Sequence, residues 1–233
     1  MTYGKAREAK KHVFELLKAD DLGRAIFEIA RMNKKKVVNY LISALCNCDP
    51  LVKWRAVSAL GKVVASLADE DMERARIIMR RFMWMLNDES GGIGWGAPES
   101  MAEIMACHEG LAREYVPILV SYLREDANFL EYEPLQRGLL WGVSRLGSVR
   151  PQLVKSAGAG KYLPEFLKAT DAEVRGMAAM GCGVLELKDT KEMLLRMIND
   201  TGTLMLYQNG KLYEKTVGDL AKEALRRIEA TST

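Results

Sequence analysis

Residues 49–61 read Asp49-Pro-Leu-Val-Lys-Trp-Arg-Ala-Val-Ser-Ala-Leu-Gly61, and the spacing of the apolar and small side chains in and just after this stretch decides the fold. Val52, Ala56, Ala59, Leu60 and Val63 fall at i, i+4, i+7, i+8 and i+11, which is one face of an α-helix. The same column returns four times. Val52, Ile93, Leu135, Val174 and Val217 begin it at spacings of 41, 42, 39 and 43. Ala56 is matched by Ala97, Leu139, Ala178 and Ala221, and Ala59 by Ser100, Gly142, Gly181 and Ala224. A period near 40 with small residues one turn apart describes stacked helical pairs, each burying its apolar face on the next.

A first helix precedes each of these second helices, marked by Leu41/Leu45, Phe82/Leu86, Leu119/Leu123, Leu163/Leu167 and Leu194/Ile198. The expected fold is all-α: an α-α superhelix of five helical pairs over residues 34–230, with a capping pair over 1–33 and a small β-hairpin in the last repeat. The whole chain, 1–233, reads as one repeat domain. Ala59, Gly142 and Gly181 allow helices to approach closely. Asp49-Pro50 and Asp171 are N-cap signals for second helices.

The turns within the repeats are where the pattern varies. From the last mark of helix one to the first of helix two the distances are 7, 7, 12, 7 and 19. The 12 comes from Ala127–Glu133, and the 19 contains Thr203–Thr216 with Asn209-Gly210 between two β-favouring runs, a type I′ hairpin signal. Thr216 and Asp219 are placed to cap the last helix. In the second repeat the turn is Asp88-Glu-Ser-Gly-Gly-Ile-Gly-Trp-Gly-Ala-Pro-Glu-Ser100. Pro98 belongs at a first helical position, so that second helix is expected to start near residue 97.

Asp49–Gly61 resembles the signature of HEAT-like repeats of the phycobilisome-lyase type, and Thr170-Asp-Ala-Glu-Val-Arg-Gly-Met-Ala-Ala-Met-Gly-Cys-Gly183 is a second match. The spacing carries the resemblance over about residues 35–229. It implies a right-handed superhelix of antiparallel pairs, second helices on the concave face, and a ladder between repeats in which Asp49/Lys53 and Asp171/Arg175 take part. It implies chiefly protein binding; some such arrays assist enzymes or bind nucleic acid.

Composition narrows the function classes. With 34 basic and 31 acidic residues the net charge is +3, too balanced for wholesale phosphate binding. No stretch approaches the ~18 apolar residues a bilayer span needs, and Met1–Lys11 holds no apolar signal core. A cytoplasmic location with reduced thiols is the expectation. Cys46-Asn-Cys48, Cys107 and Cys182 lack the spacing of a zinc site. His12 and His108 have no nucleophile in register with them. The sequence therefore points to no catalytic residues, cofactor or metal, and to a non-enzymatic protein.

Two constellations remain. Gly91-Gly-Ile-Gly-Trp-Gly96 precedes a helix N-terminus, where free amides hold anions, but it lacks a P-loop ending and Asp88, Glu89 and Glu99 lie close by. Its glycines serve either to tuck Trp95 between repeats or to present it to a partner. The row Glu99, Glu103, Arg137, Trp141 and Arg145 combines an aromatic with mixed charge, the composition of a protein-binding hot spot; Trp141 either anchors a partner there or packs between helices. The expected function is a scaffold or adaptor binding a protein or peptide through the concave face and the elaborated turns. Its anchors are Trp95, Tyr132, Trp141, Tyr207 and Tyr213, and Glu99, Glu103, Arg137 and Arg145 orient the partner. A monomer suffices for this. The alternatives are nucleic-acid binding, as in alkylated-base glycosylases of HEAT-like architecture, and an accessory role in cofactor loading or redox-complex assembly.

Overall fold

A computed structural model describes residues 2–87 and 94–230. Its helices are α1 Thr2–Lys18, α2 Leu22–Arg31, α3 Lys34–Ala44, α4 Pro50–Glu70, α5 Met72–Leu86, α6 Ala97–Cys107, α7 Glu109–Ser121, α8 Glu133–Val149, α9 Pro151–Ser156, α10 Ala172–Val184, α11 Lys191–Met197 and α12 Val217–Ala230. A two-stranded hairpin, β1 Thr203–Gln208 and β2 Lys211–Thr216, stands before α12. The chain is an all-α helical-repeat protein. It divides into two compact units: Met1–Leu111 with Asn209–Lys211, and Ala112–Gln208 with Leu212–Thr233.

Local chemistry sets the helix ends. Asp21, Asn33, Asp49, Asp71 and Asp171 each accept a backbone N–H of the helix they precede, which satisfies a donor that has no intrahelical partner. Thr216 and Asp219 cap α12 reciprocally: the Asp219 N–H donates to Thr216 Oγ1 at 3.0 Å and the Thr216 N–H to Asp219 Oδ2 at 3.1 Å. Asn209 and Gly210 both have positive φ, 50° and 79°, as a two-residue type I′ turn requires. The second helix of the second repeat begins at Ala97 with Pro98 in its first turn.

In the first unit the column of α4 is buried: Val52, Ala56, Ala59, Leu60 and Val63 all lie in the core. Buried Arg55 (7% exposed) ties loose carbonyls together. Its Nη1 donates to Leu17 O at 3.1 Å and Ala19 O at 2.6 Å, and its Nε to Gly210 O at 3.3 Å. α5 turns Ala75, Met79 and Phe82 into the core. In the second unit the corresponding column runs through Leu139, Ala178, Ala221 and Ala224, all buried.

The fourth repeat departs from expectation. Leu163 and Leu167 are buried, but they sit on a 3-10 turn, Leu163–Lys168, preceded by the short α9 and a second 3-10 turn, Ala159–Lys161. Gly158 at φ 83° and Pro164 interrupt what would otherwise be one α-helix.

Close helix approaches occur at the expected Gly181 and also two residues further along the second helices. Gly181 stands next to Ser144, whose Oγ is 3.1 Å from where a Cβ would be. At Gly183 the space is smaller still: a Cβ would lie 2.5 Å from Ala224 Cα. In the first unit a Cβ on Gly61 would lie 2.7 Å from Glu103 Cγ. Gly61, Ser144 and Gly183 occupy one repeat position, nine residues after Val52, Leu135 and Val174. This position, as well as that of Ala59, is the seam between successive second helices.

Candidate functional site

The row expected to line an open face is mostly occupied by the protein itself. In the second unit Trp141 is 5% exposed, and its Nε1–H donates to Tyr207 O at 3.1 Å. The Trp141 and Tyr207 rings lie 6.3 Å apart, and Tyr207 is buried as well. Strand β1 packs against α10, with Leu204 reaching the bare backbone of Gly176. The hairpin, expected in the turn of the last repeat, lays β1 over the second helices α8 and α10 of this unit. It buries the two aromatics that the sequence reading held available to a partner, because Leu204, Leu206 and Tyr207 need an apolar surface and α8 and α10 supply it.

The charged members of the row are also engaged. Arg137 donates through Nε to Asp171 Oδ1 at 3.1 Å and through Nη2 to Asp171 Oδ2, with Glu173 3.6 Å away. Arg175 continues the pattern, donating to Asp200 Oδ2 at 3.0 Å and to the carbonyls of Ala169 and Thr170. This is a ladder in which an arginine at the start of one second helix reaches the acid of the next repeat. Desolvation works against ionisation of Asp171, yet the Arg137 guanidinium and the Val174 and Glu173 amides together hold its carboxyl below the usual range. Arg137 is thus a strut between repeats. Arg145 is half-buried.

In the first unit Glu99 is 3% exposed and pairs with Lys53, Nζ to Oε1 3.2 Å. The lysine of the 49–61 stretch therefore reaches Glu99, while Asp49 is engaged by the Leu51 amide as a cap. Glu103 is buried against Gly61, with Cys107 Sγ 3.7 Å from its Oε1. Both glutamates were expected to orient a partner; in the structure they fill the interval between α4 and α6. Trp95 is half-buried, and Gly96 beside it takes φ 72° with Leu45 packed against its backbone. Asp88, Glu89, Gly91, Gly92 and Ile93 of the glycine turn lie outside the described residues.

Of the expected anchors, Tyr132 and Tyr213 face solvent. Tyr132 stands at the N-cap position of α8 and ends the inserted turn. The rest of that insertion folds back: Leu130 is buried, its N–H donates to Tyr122 O at 3.2 Å, and Phe129 lies 6.2 Å from the Phe166 ring. Tyr213 projects from β2, and Met205 is exposed on β1.

Sequence reading passed over the outer face of α5. Opposite its buried Ala75–Met79–Phe82 face stand Ile77 and Trp84, 55% and 67% exposed, with Arg80 and Arg81 between them. Arg81 Nη1 donates to Asn39 Oδ1 of α3 at 2.6 Å, joining this stripe to the exposed Lys35 and Lys36. The signal was present in the helical phase of α5: once Phe82 is a core mark, Trp84 falls on the far side.

The histidines and cysteines occupy local positions. His12 Nε2 is 2.8 Å from Glu28 Oε1, and His108 Nδ1 accepts the Leu111 amide at 3.1 Å. Cys46 and Cys48 are exposed thiols, and burial pushes the Cys182 thiol up to about 12. Among the described residues no group of three or more His, Cys, Asp or Glu is arranged to hold a metal, and no helix is long and apolar enough to cross a membrane.

No protein-family model matches the chain. It is 25% identical over 191 residues to an uncharacterized protein of Archaeoglobus fulgidus, covering 78% of this chain and 92% of that one. Among solved structures it is similar to an engineered protein with a TM-score of 0.54 and 18% identity, covering 96% of this chain and 97% of the other. It is also similar to a designed armadillo repeat protein in complex with the peptide (KR)4, TM-score 0.51, 16% identity, covering 93% and 98%. Computationally designed armadillo repeat proteins for modular peptide recognition match at TM-score 0.50 and 17% identity, over 94% and 98%. At these identities the likeness is one of fold, and the fold is that of armadillo-type helical repeats.

Proposed function

We propose that the chain is a non-catalytic helical-repeat scaffold that binds a protein or peptide partner, and that its repeats are of the phycobilisome-lyase HEAT-like type carried by Asp49–Gly61 and Thr170–Gly183. The observation that carries the binding reading is the exposure of Tyr132 and Tyr213 on the two insertions that interrupt the regular repeat. Insertions in a repeat array map to loops on its surface, often its binding surface, and tyrosine combines a large apolar ring with a polar tip suited to interfaces. The designed armadillo proteins whose fold it shares were made to bind peptides, which supports the same use of this architecture. We place the protein in the cytoplasm, and within the second unit the half-buried Arg145 borders the binding surface while Trp141, Tyr207 and Arg137 hold that unit in shape.

The test is affinity purification from the native cells with wild-type bait and with Tyr132→Ala/Tyr213→Ala bait of unchanged far-ultraviolet circular dichroism. Both residues are exposed, so the substitutions leave the core intact. The expected result is a partner recovered by the first bait and lost by the second. Equal recovery by both baits overturns the assignment of these two tyrosines.

A further inference from the structure

We infer that the outer face of α5, together with the adjoining edge of α3, is a second interaction surface, and that it takes an acidic segment of a partner protein bearing a bulky apolar side chain. The inference rests on the scaffold reading only in that the occupant is a polypeptide; the surface is built from elements other than those that carry Tyr132 and Tyr213.

The first observation is apolar. Ile77 and Trp84 lie two turns apart on one stripe of α5, and more than half of each is in water. The helix packs its core face through Ala75, Met79 and Phe82, so among the described residues the core makes no use of Ile77 and Trp84. The second observation is charge. α5 carries Arg74, Arg76, Arg80 and Arg81 against the single acid Glu73, and α3 carries Lys34, Lys35 and Lys36 with no acid at all. Lys34 is committed to Ser66 Oγ and Glu70 Oε1, and Glu73 is shared by Arg76 and Arg80. Lys35 and Lys36 remain exposed, without an acidic partner among the described residues, and the Arg81–Asn39 bond holds a third cation at the seam.

Together, a tryptophan and an aliphatic side chain flanked by arginine and lysine make the composition of an interface hot spot with a basic rim. Such a rim favours an acidic occupant and repels a basic one. Ile77 has no place in a base-stacking platform, which uses aromatic and guanidinium planes. Two apolar side chains separated by arginines also present far less apolar surface than an interfacial membrane helix. Polypeptide is the occupant that uses every member of the stripe.

The experiment is selection of a displayed library of random linear peptides against the whole protein, followed by binding of the enriched peptides to Trp84→Ala, Lys35→Glu/Arg81→Glu and Tyr132→Ala/Tyr213→Ala proteins. The expected peptides are net acidic with a bulky apolar residue. Their affinity falls about tenfold or more in each of the first two variants, is unchanged in the third, and weakens with added salt. The inference is overturned if the library yields nothing, if the enriched peptides are neutral or basic, or if binding ignores Trp84. It is likewise overturned if duplex DNA or phosphatidylserine vesicles bind in a Trp84-dependent way while peptides do not. Peptides lost only in the tyrosine variant would leave the scaffold reading standing and remove this surface.

Discussion

Replacing Gly183 with alanine tests the seam between repeats directly. A Cβ at this position would stand 2.5 Å from Ala224 Cα, 2.7 Å from Ala224 Cβ and 3.4 Å from Ala224 C. The first and last of these are backbone atoms, and an alanine side chain has no rotamer to change, so α10 and α12 must separate by about 1 Å to restore ordinary contact. Inserting a methyl into a packed seam typically costs about 1–3 kcal/mol, and because the obstructing atoms here are backbone the cost is at the upper end, about 2–3 kcal/mol. Alanine in a helix interior returns up to about 1 kcal/mol relative to glycine, which leaves a net loss of about 1–2 kcal/mol. With a urea m-value of about 2 kcal/mol/M, the unfolding midpoint falls by roughly 0.5–1 M, read by circular dichroism. Gly4→Ala is the control: that glycine lies in α1 with nothing within 4 Å of its would-be Cβ, so its substitution leaves the midpoint unchanged or raises it. A Gly183→Ala protein as stable as wild type would refute the close approach of α10 and α12 and, with it, the reading of this column as the seam.

Trp141→Phe keeps an aromatic ring but removes the indole N–H that donates to Tyr207 O; losing this buried hydrogen bond costs about 0.5–1.5 kcal/mol, seen as a lower urea midpoint and faster proteolysis within residues 203–216. Burial holds the Cys182 thiol at about 12, so at pH 8 a thiol reagent modifies exposed Cys46 and Cys48 in the folded protein and reaches Cys182 only after denaturant is added. Asp171 has its carboxyl held below the usual range in the folded state, so it contributes stability above its unfolded value near pH 4, and that contribution is lost as pH falls through the folded value. Wild type therefore loses stability more steeply than Asp171→Asn as pH falls below about 4, and equal slopes would show that the Arg137–Asp171 pair has no part in acid stability.

The repeat was legible because its signal is redundant. Val52, Ala56, Ala59 and Val63 each have four counterparts, so a degenerate position in one repeat is outvoted by the others. Caps were legible for a related reason: Asp49-Pro50, Asp171 and Thr216/Asp219 act within three residues of themselves, and local hydrogen bonds need no knowledge of the rest of the chain. The second small-residue position, Gly61/Ser144/Gly183, was less visible. Its contact is with the following helix, and its last counterpart, Arg226, is exposed on α12, where no later described element packs. A column that tolerates arginine in one copy does not look like a packing column until the neighbour is seen.

The candidate site was harder to read because its meaning depends on which surface an irregular segment folds onto. Thr203–Thr216 announced a hairpin through Asn209-Gly210, and nothing in those residues alone says that β1 covers Trp141. The burial of Leu204, Leu206 and Tyr207 is repaid on α8 and α10, which are distant in sequence. The same holds for charge. Arg137 resembles a partner-orienting residue until Asp171 is placed opposite it, and Asp171 is also needed to cap α10. One acid therefore serves both a helix end and the next repeat's arginine, a coupling that only the stacking of repeats creates. Exposure on α5 is the opposite case. Ile77 and Trp84 are outside because Ala75, Met79 and Phe82 are inside, and helical phase alone dictates it. Surfaces on regular elements are thus the part of a helical-repeat protein that sequence can locate, whereas surfaces built from its insertions require the fold.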